Sequence, residues 1–148
     1  MSIQQLSVQR LRNLTHVEAE FGEGVNLIYG ENASGKTSLL EAMHMLSLGR
    51  SFRSLKLNSI ISDGATDCIL FSKVKNGQGV LDSLGMNRRL DGNHSVRLNG
   101  ESIASVSELA SLLPIQLIDP NSARLIDAGP SVRRQYLDWG VYHHHQSF

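Results

Sequence analysis

At 148 residues, with 41% hydrophobic and 19% charged residues, the chain has the length and composition of one ordinary globular domain, which excludes disordered, fibrous and low-complexity classes. Lys and Arg number 14 and balance 14 Asp and Glu, so no overall positive charge advertises a nucleic-acid partner and any DNA contact must come from local clusters. The single cysteine, Cys68, excludes an internal disulfide, MSIQQLSVQR lacks the apolar core of a secretory signal, and no apolar run approaches a membrane span, so a reducing, cytoplasmic setting is expected.

In chain order, Ile3, Leu6, Val8 and Leu11 supply a first apolar set, and in THVEAEF the residues Val17, Ala19 and Phe21 alternate with polar neighbours. Two early strands are predicted, parted by Arg12-Asn13. Gly22-Glu23-Gly24 reads as a turn, after which VNLIY, Val25 to Tyr29, is a β-prone run predicted to be a strand. Beyond a glycine-rich stretch, Leu39, Leu40, Met43 and Leu46 recur at helical spacing, with Gly49 as a C-terminal stop.

A weaker helix is predicted from Leu55 to Ile61. Strands at Cys68 to Val74, Val80 to Met86 and His94 to Leu98, separated or ended by Asn76-Gly77, Asp91-Gly92 and Asn99-Gly100, read as an antiparallel meander. Ser105-Val106-Ser107-Glu108 is a capping-box pattern that opens a helix through Leu112. Pro114 then interrupts before the apolar run Ile115 to Ile118, which Asp119-Pro120 closes. After a turn at Gly129-Pro130, a last helix is predicted from Ser131 to Trp139. No internal repeat or linker is evident.

The glycine-rich stretch, Gly30 to Thr37, spells G-x-x-x-x-G-K-T between a predicted strand and a predicted helix. A phosphate is held where several backbone N–H groups point inward and a helix N-terminus adds partial positive charge, and glycines permit that bend. Lys36 would meet the β- and γ-phosphates, and the Thr37 hydroxyl would complete the coordination of a magnesium ion. The candidate ATP-binding residues are therefore Gly30, Glu31, Asn32, Ala33, Ser34, Gly35, Lys36, Thr37 and Ser38, with Thr37 as the Mg2+ ligand.

Hydrolysis needs an acidic residue at the end of a second buried strand. The internal candidate is Asp119 after LLPIQLI, but Pro114 and Gln116 interrupt that run, and it reads better as a turn aspartate before Pro120. Granting Asp119 the metal-holding role gives an alternative from another class, a small P-loop kinase or phosphotransferase with Arg88 and Arg89 drafted for its lid. A nucleotide-free interaction module is the third reading.

Arg50, Arg53 and Lys56 form a basic cluster with no acid between Arg50 and Ser62. It could hold DNA phosphates, or be a solvated helix edge with Phe52 tucked into the core. Arg88-Arg89 is followed closely by Asp91, and Arg133-Arg134 could contact DNA or a partner head but reads better as pairing with Asp127 and Asp138. With aromatics at 5%, tracking of the DNA backbone suits the chain better than base readout. Three consecutive histidines, His143 to His145, cannot converge well on one ion. His16, His44 and His94 are isolated and are expected at the surface or as satisfied core positions.

Arg12-Asn13-Leu14, YGENASGKTSLLEAMHMLSLGRSFRS and LIDPNSARLIDAGPSVRRQYLDWG together resemble the N-terminal part of the RecF family of bacterial recombination and gap-repair ATPases, in register from Met1 to Gly140. The resemblance implies an α/β P-loop NTPase of the ABC-type ATPase head, similar to structural-maintenance-of-chromosomes proteins, with an antiparallel side sheet. It implies ATP and Mg2+ as cofactors, and single-stranded, duplex or gapped DNA and recombination mediator proteins as partners. It also implies an ATP-dependent homodimer that clamps DNA and promotes recombinase loading, in support of replication and the SOS response.

The serine-glycine signature, the Walker B acids and the switch histidine of such heads are missing from this sequence. The family chain is much longer, so the sequence reads as an N-terminal part, expected by itself to bind nucleotide weakly at best and to hydrolyse it negligibly. Carried over by residue, Arg12 and Asn13 occupy the place where such heads touch the nucleotide from the first strand, although Arg12 alone would read as a solvated strand-end charge. Asp119 falls near the loop that senses the γ-phosphate, where the family shows proline followed by glutamate and this chain has Pro120-Asn121.

Overall fold

The computed structural model describes residues 2–103, 105–118 and 130–144. By contact density the chain divides into two units, one ending at Leu113 and the other starting at Pro114. In the first, β1 (Ser2–Leu11) and β2 (Leu14–Glu20) are followed by helix α1 (Lys36–Leu48) and the short α2 (Leu57–Ile60). Then come β3 (Asp67–Lys75), β4 (Leu81–Arg89), β5 (His94–Leu98), β6 (Glu101–Ser102) and α3 (Val106–Leu112). The second unit holds α4 (Pro130–His144), begun by a proline whose fixed φ suits a first helical position.

The six strands make one sheet in the order β2-β1-β3-β4-β5-β6, and every pairing is antiparallel. The expected side sheet is thus present, and the β1–β2 hairpin joins it through β1. Side chains alternate along a strand, and β3 follows that rule throughout: Cys68, Leu70, Ser72 and Val74 are buried while their neighbours are half-exposed. Leu6 and Val8 of β1, Leu84 and Met86 of β4 and Val96 of β5 complete the inner face. Helix α1 lies against this sheet and packs on α3. Each fully buried leucine here, such as Leu6, Leu46 or Leu70, contributes on the order of 1.5–3 kcal/mol.

Helix α1 buries more than the apolar stripe its spacing suggests. Leu39 and Leu46 are inside as expected, but Met43 is half-buried and Leu40 is exposed. Their places in the core are taken by Ala42 and Met45, together with Glu41, His44 and Ser47. The polar residues can be inside because each has a partner. His44 Nδ1 lies 2.9 Å from the Arg50 carbonyl, its ring packs edge-on against Phe52, and burial lowers its pKa below the ordinary value, which favours the neutral ring. Ser47 Oγ donates to the Leu113 carbonyl at 2.5 Å. The helix stops at Gly49, in the left-handed region at φ 67°, whose N–H donates to the Met45 carbonyl at 2.8 Å. Arg88 of β4 donates to the Gly49 carbonyl, tying sheet to helix.

The predicted strand Val25 to Tyr29 is not one. Residues 25–30 adopt no regular structure, and Val25, Leu27 and Tyr29 are 99%, 82% and 85% exposed. A strand needs a neighbouring ladder, and among the described residues no strand pairs with this segment, so its β-prone composition goes unused. The helix expected from Leu55 to Ile61 contracts to one turn; β3 runs one residue past its predicted limits at each end, β4 starts one residue later and ends three residues later than predicted, and β5 matches its predicted limits. Ser105 caps α3 as expected, its side chain accepting from the Ser107 N–H. Cys68 is fully buried opposite Arg88, and burial pushes its thiol pKa up to about 11.

Candidate phosphate-binding site

The Gly30 to Thr37 loop leads directly into α1. Gly35 sits at φ 98°, a conformation that side chains resist, and a Cβ there would collide with Leu14 Cδ2. Gly30, at φ 150°, has Ser34 Oγ 3.1 Å from where its Cβ would be. The loop is therefore written for glycine at both motif positions. Gly35→Ala should lower the unfolding free energy by about 1–3 kcal/mol, read from urea denaturation, because the strained backbone and the Leu14 clash act together.

No side chain caps the first turn of α1. The leading N–H groups of a helix have no intrahelical partner, so here they remain as donors for a ligand. Asn13, from the β1–β2 turn, braces the loop: its Nδ2 donates to the Ala33 carbonyl at 2.8 Å, and its Oδ1 accepts from Ser38 Oγ at 3.0 Å. That contact commits the Ser38 hydroxyl inward. Lys36 Nζ folds back onto the loop, donating to the Gly30 and Glu31 carbonyls at 3.0 and 2.6 Å. Glu31, Asn32, Ala33 and Ser34 form the exposed outer bend, with Ala33 at φ 64°.

An open cavity of about 410 Å³ lies against this loop, lined by Arg12, Asn13, Ala33, Gly35, Lys36, Thr37, Ser38 and Arg53. Its size is within the usual range of small-molecule sites, roughly 300–1,000 Å³. Uncapped helix amides, glycines where only glycine fits, and three cationic side chains in one wall fit a polyphosphate. Among the described residues no group of three or more His, Cys, Asp or Glu could hold a metal; Thr37, the residue expected from the motif to meet magnesium, lines the cavity.

Arg12 is not a solvated strand-end charge. Its side chain is only 16% exposed, and it grips Glu41 of α1 with two parallel hydrogen bonds, Nε to Oε2 at 2.8 Å and Nη2 to Oε1 at 2.6 Å, while Nη1 donates to the Ser59 carbonyl. Glu41 is fully buried. Burial alone would raise its pKa, but hydrogen bonds from Arg12 and Ser51 and the charges of Arg12 and Arg53 outweigh that and hold the carboxyl below its ordinary value.

The basic cluster is divided. All three are exposed, but Arg53 lines the cavity and reaches Glu41 Oε2 with Nη1 at 3.4 Å, whereas Arg50 and Lys56 are not part of its lining. Arg88 is committed to the end of α1, and Arg89 lies 3.4 Å from Asp91 in an exposed ion pair. Arg133 and Arg134 are exposed on α4. Asp119, Asn121, Asp127 and His145 lie outside the described residues, as do the side chains of His143 and His144.

A family model described as the RecF/RecN/SMC N terminal domain matches residues 2–122. The chain belongs to the RecF/RecN/SMC family. Within that family it is 46% identical, over 143 residues, to the DNA replication and repair protein RecF of Pseudomonas entomophila, and 44% identical to that of Pseudomonas putida strain W619. The match takes in 97% of this chain but 39% of either relative, so the chain spans about two fifths of the length of the curated relatives it matches.

Among solved structures, RecF with ATP from the RecFOR pathway superposes with a TM-score of 0.87 at 32% identity, covering 98% of this chain and 39% of that one. An SMC ATPase head superposes with a TM-score of 0.75 at 21% identity, covering 94% of this chain and 99% of that one, a likeness of fold alone. The RecF resemblance carried by the loop, GRSFRS and GPSVRRQYLD is thereby borne out, as is the ABC-type head with its antiparallel sheet. Glu41 was missed in the sequence, although one signal was there: an acid on the buried side of an apolar helix implies a partner.

Proposed function

We propose that this chain binds ATP with magnesium as the nucleotide-loop part of a RecF-type ATPase head, acting in recombinational and gap repair of DNA. The observation that carries the reading is the convergence of uncapped α1 amides, Lys36, Arg12 and Arg53 on one cavity. The relatives are named DNA replication and repair proteins, and a similar RecF was solved with ATP. The amides from Gly30 to Thr37 would bind the phosphates, Lys36 would exchange its two loop carbonyls for phosphate oxygens, and the Thr37 hydroxyl would hold the magnesium ion. Asn13 keeps the loop open against the start of α1. When bound, ATP would supply the polyphosphate charge and a cleavable phosphoanhydride.

The same reading extends to partners. ATP would draw two heads together around DNA, with the exposed Arg50 and Lys56 offered to its phosphates, and recombination mediator proteins would follow. Titration of the chain with magnesium and ATP tests the core of this. At a hundred times Kd the nucleotide should raise unfolding free energy by about 2.7 kcal/mol. No stabilisation at any concentration up to 10 mM, on the order of the weakest useful site, would remove the reading.

A further inference from the structure

Glu41 does more than fill a place in the core. Its two oxygens receive four donors: Arg12 Nε and Nη2, the Ser51 hydroxyl and Arg53 Nη1. That count saturates a carboxylate. The four bonds differ in kind. Arg12 is clamped by a short bidentate pair, whereas Arg53 is held at 3.4 Å and its side chain is 42% exposed. Ser51 Oγ also accepts from the backbone N–H groups of Arg53 and Ser54, at 2.9 and 3.0 Å, which folds that loop into a tight turn. One carboxylate thus governs both the side chain of Arg53 and, through Ser51, its main chain.

The charge balance gives this arrangement its sense. Two guanidiniums share one carboxylate, leaving positive charge in excess on the cavity wall beside Lys36. A buried ion pair is poor evidence of a stabilising device, because apolar residues of similar volume often serve as well. Here, however, the pair's two arginines both line the cavity that the helix N-terminus faces, and Glu41 stands one turn beyond Thr37 on that same helix. A rigid element therefore carries both the phosphate-binding amides and the group that aims the arginines.

We infer that Glu41 is a positioning residue for polyphosphate binding: it fixes Arg12 permanently at the cavity and holds Arg53 loosely, so that Arg53 passes from Glu41 to a phosphate oxygen when nucleotide enters. The inference rests on the ATP-binding reading. It assigns Ser51 a part in the same device, as the link from carboxylate to loop.

The test is magnesium–ATP affinity of the folded chain for Glu41→Gln, Ser51→Ala, Arg53→Ala and the two double variants with Arg53→Ala, with urea curves establishing the folded fraction. Glu41→Gln should weaken binding about tenfold, as loss of an orienting partner does, and Ser51→Ala, which spares the Arg12 pair, about threefold. Arg53→Ala should cost less in either variant background than in the parent, since its aim is already lost. If Glu41→Gln fails to fold, the Ser51 and Arg53 pair carries the same comparison. Unchanged affinity in Glu41→Gln and Ser51→Ala, with Arg53→Ala costing the same throughout, overturns the inference while leaving ATP binding intact. Lys36→Ala in the same titration separates the two: if it binds as the parent does, the nucleotide reading fails and takes the inference with it.

Discussion

Lys36→Ala should lower magnesium–ATP affinity by about ten- to a hundredfold, the equivalent of one charge-assisted hydrogen bond of roughly 1.5–3 kcal/mol. Without nucleotide the ammonium rests on the Gly30 and Glu31 carbonyls at 3.0 and 2.6 Å. Both residues are exposed, so water replaces the lysine and the fold loses little. Binding should therefore fall while the unfolding free energy from urea denaturation stays within about 0.5 kcal/mol of the parent, the usual span of surface substitutions. Equal affinity of parent and variant in a calorimetric titration would take the loop out of the account.

The second large effect belongs to stability. Glu41→Ala removes a fully buried carboxylate and strands Arg12, 16% exposed, without its partner. Breaking one side of such a pair costs on the order of 3–5 kcal/mol, a large part of the 5–15 kcal/mol that holds a typical domain. Denaturant unfolding at neutral pH reads it, and a loss under about 1 kcal/mol would show the pair to be loosely held.

The acid limb follows with a definite sign. Glu41 has a folded pKa below the 4.5 of an ordinary glutamate. Its contribution is present above that pH and disappears as pH falls through the lowered value, when the folded carboxyl too takes up a proton. The variant, having lost this contribution everywhere, should show a shallower decline in stability below pH 4.5.

Much of the fold could be read from local patterns. Alternation in THVEAE and in Cys68 to Val74, the Asn-Gly and Asp-Gly turns, and Gly49 as a helix stop each act over a few residues, and the structure agrees with all of them. The nucleotide loop was legible for the same reason, since eight contiguous residues hold its chemistry. What escaped depends on distant partners. Arg12 and Glu41 are 29 positions apart, and nothing in either neighbourhood says that they meet. Leu40 follows helical spacing yet faces outward, because Glu41 and His44 find partners inside and displace it. Val25 to Tyr29 has the composition of a strand, but composition states a readiness to pair and cannot supply the neighbour.

The concealed thiol on β3 has a practical use. With its sulfur fully buried and burial raising its pKa to about 11, Cys68 offers no thiolate to a passing electrophile while the domain is closed. Alkylation can then proceed only during excursions that expose the sulfur, so the rate of iodoacetamide incorporation becomes a built-in clock for those openings. Because this is the sole cysteine in the sequence, the mass shift needs no assignment, and a slowing of that clock by added nucleotide would register ligand protection without any engineered probe.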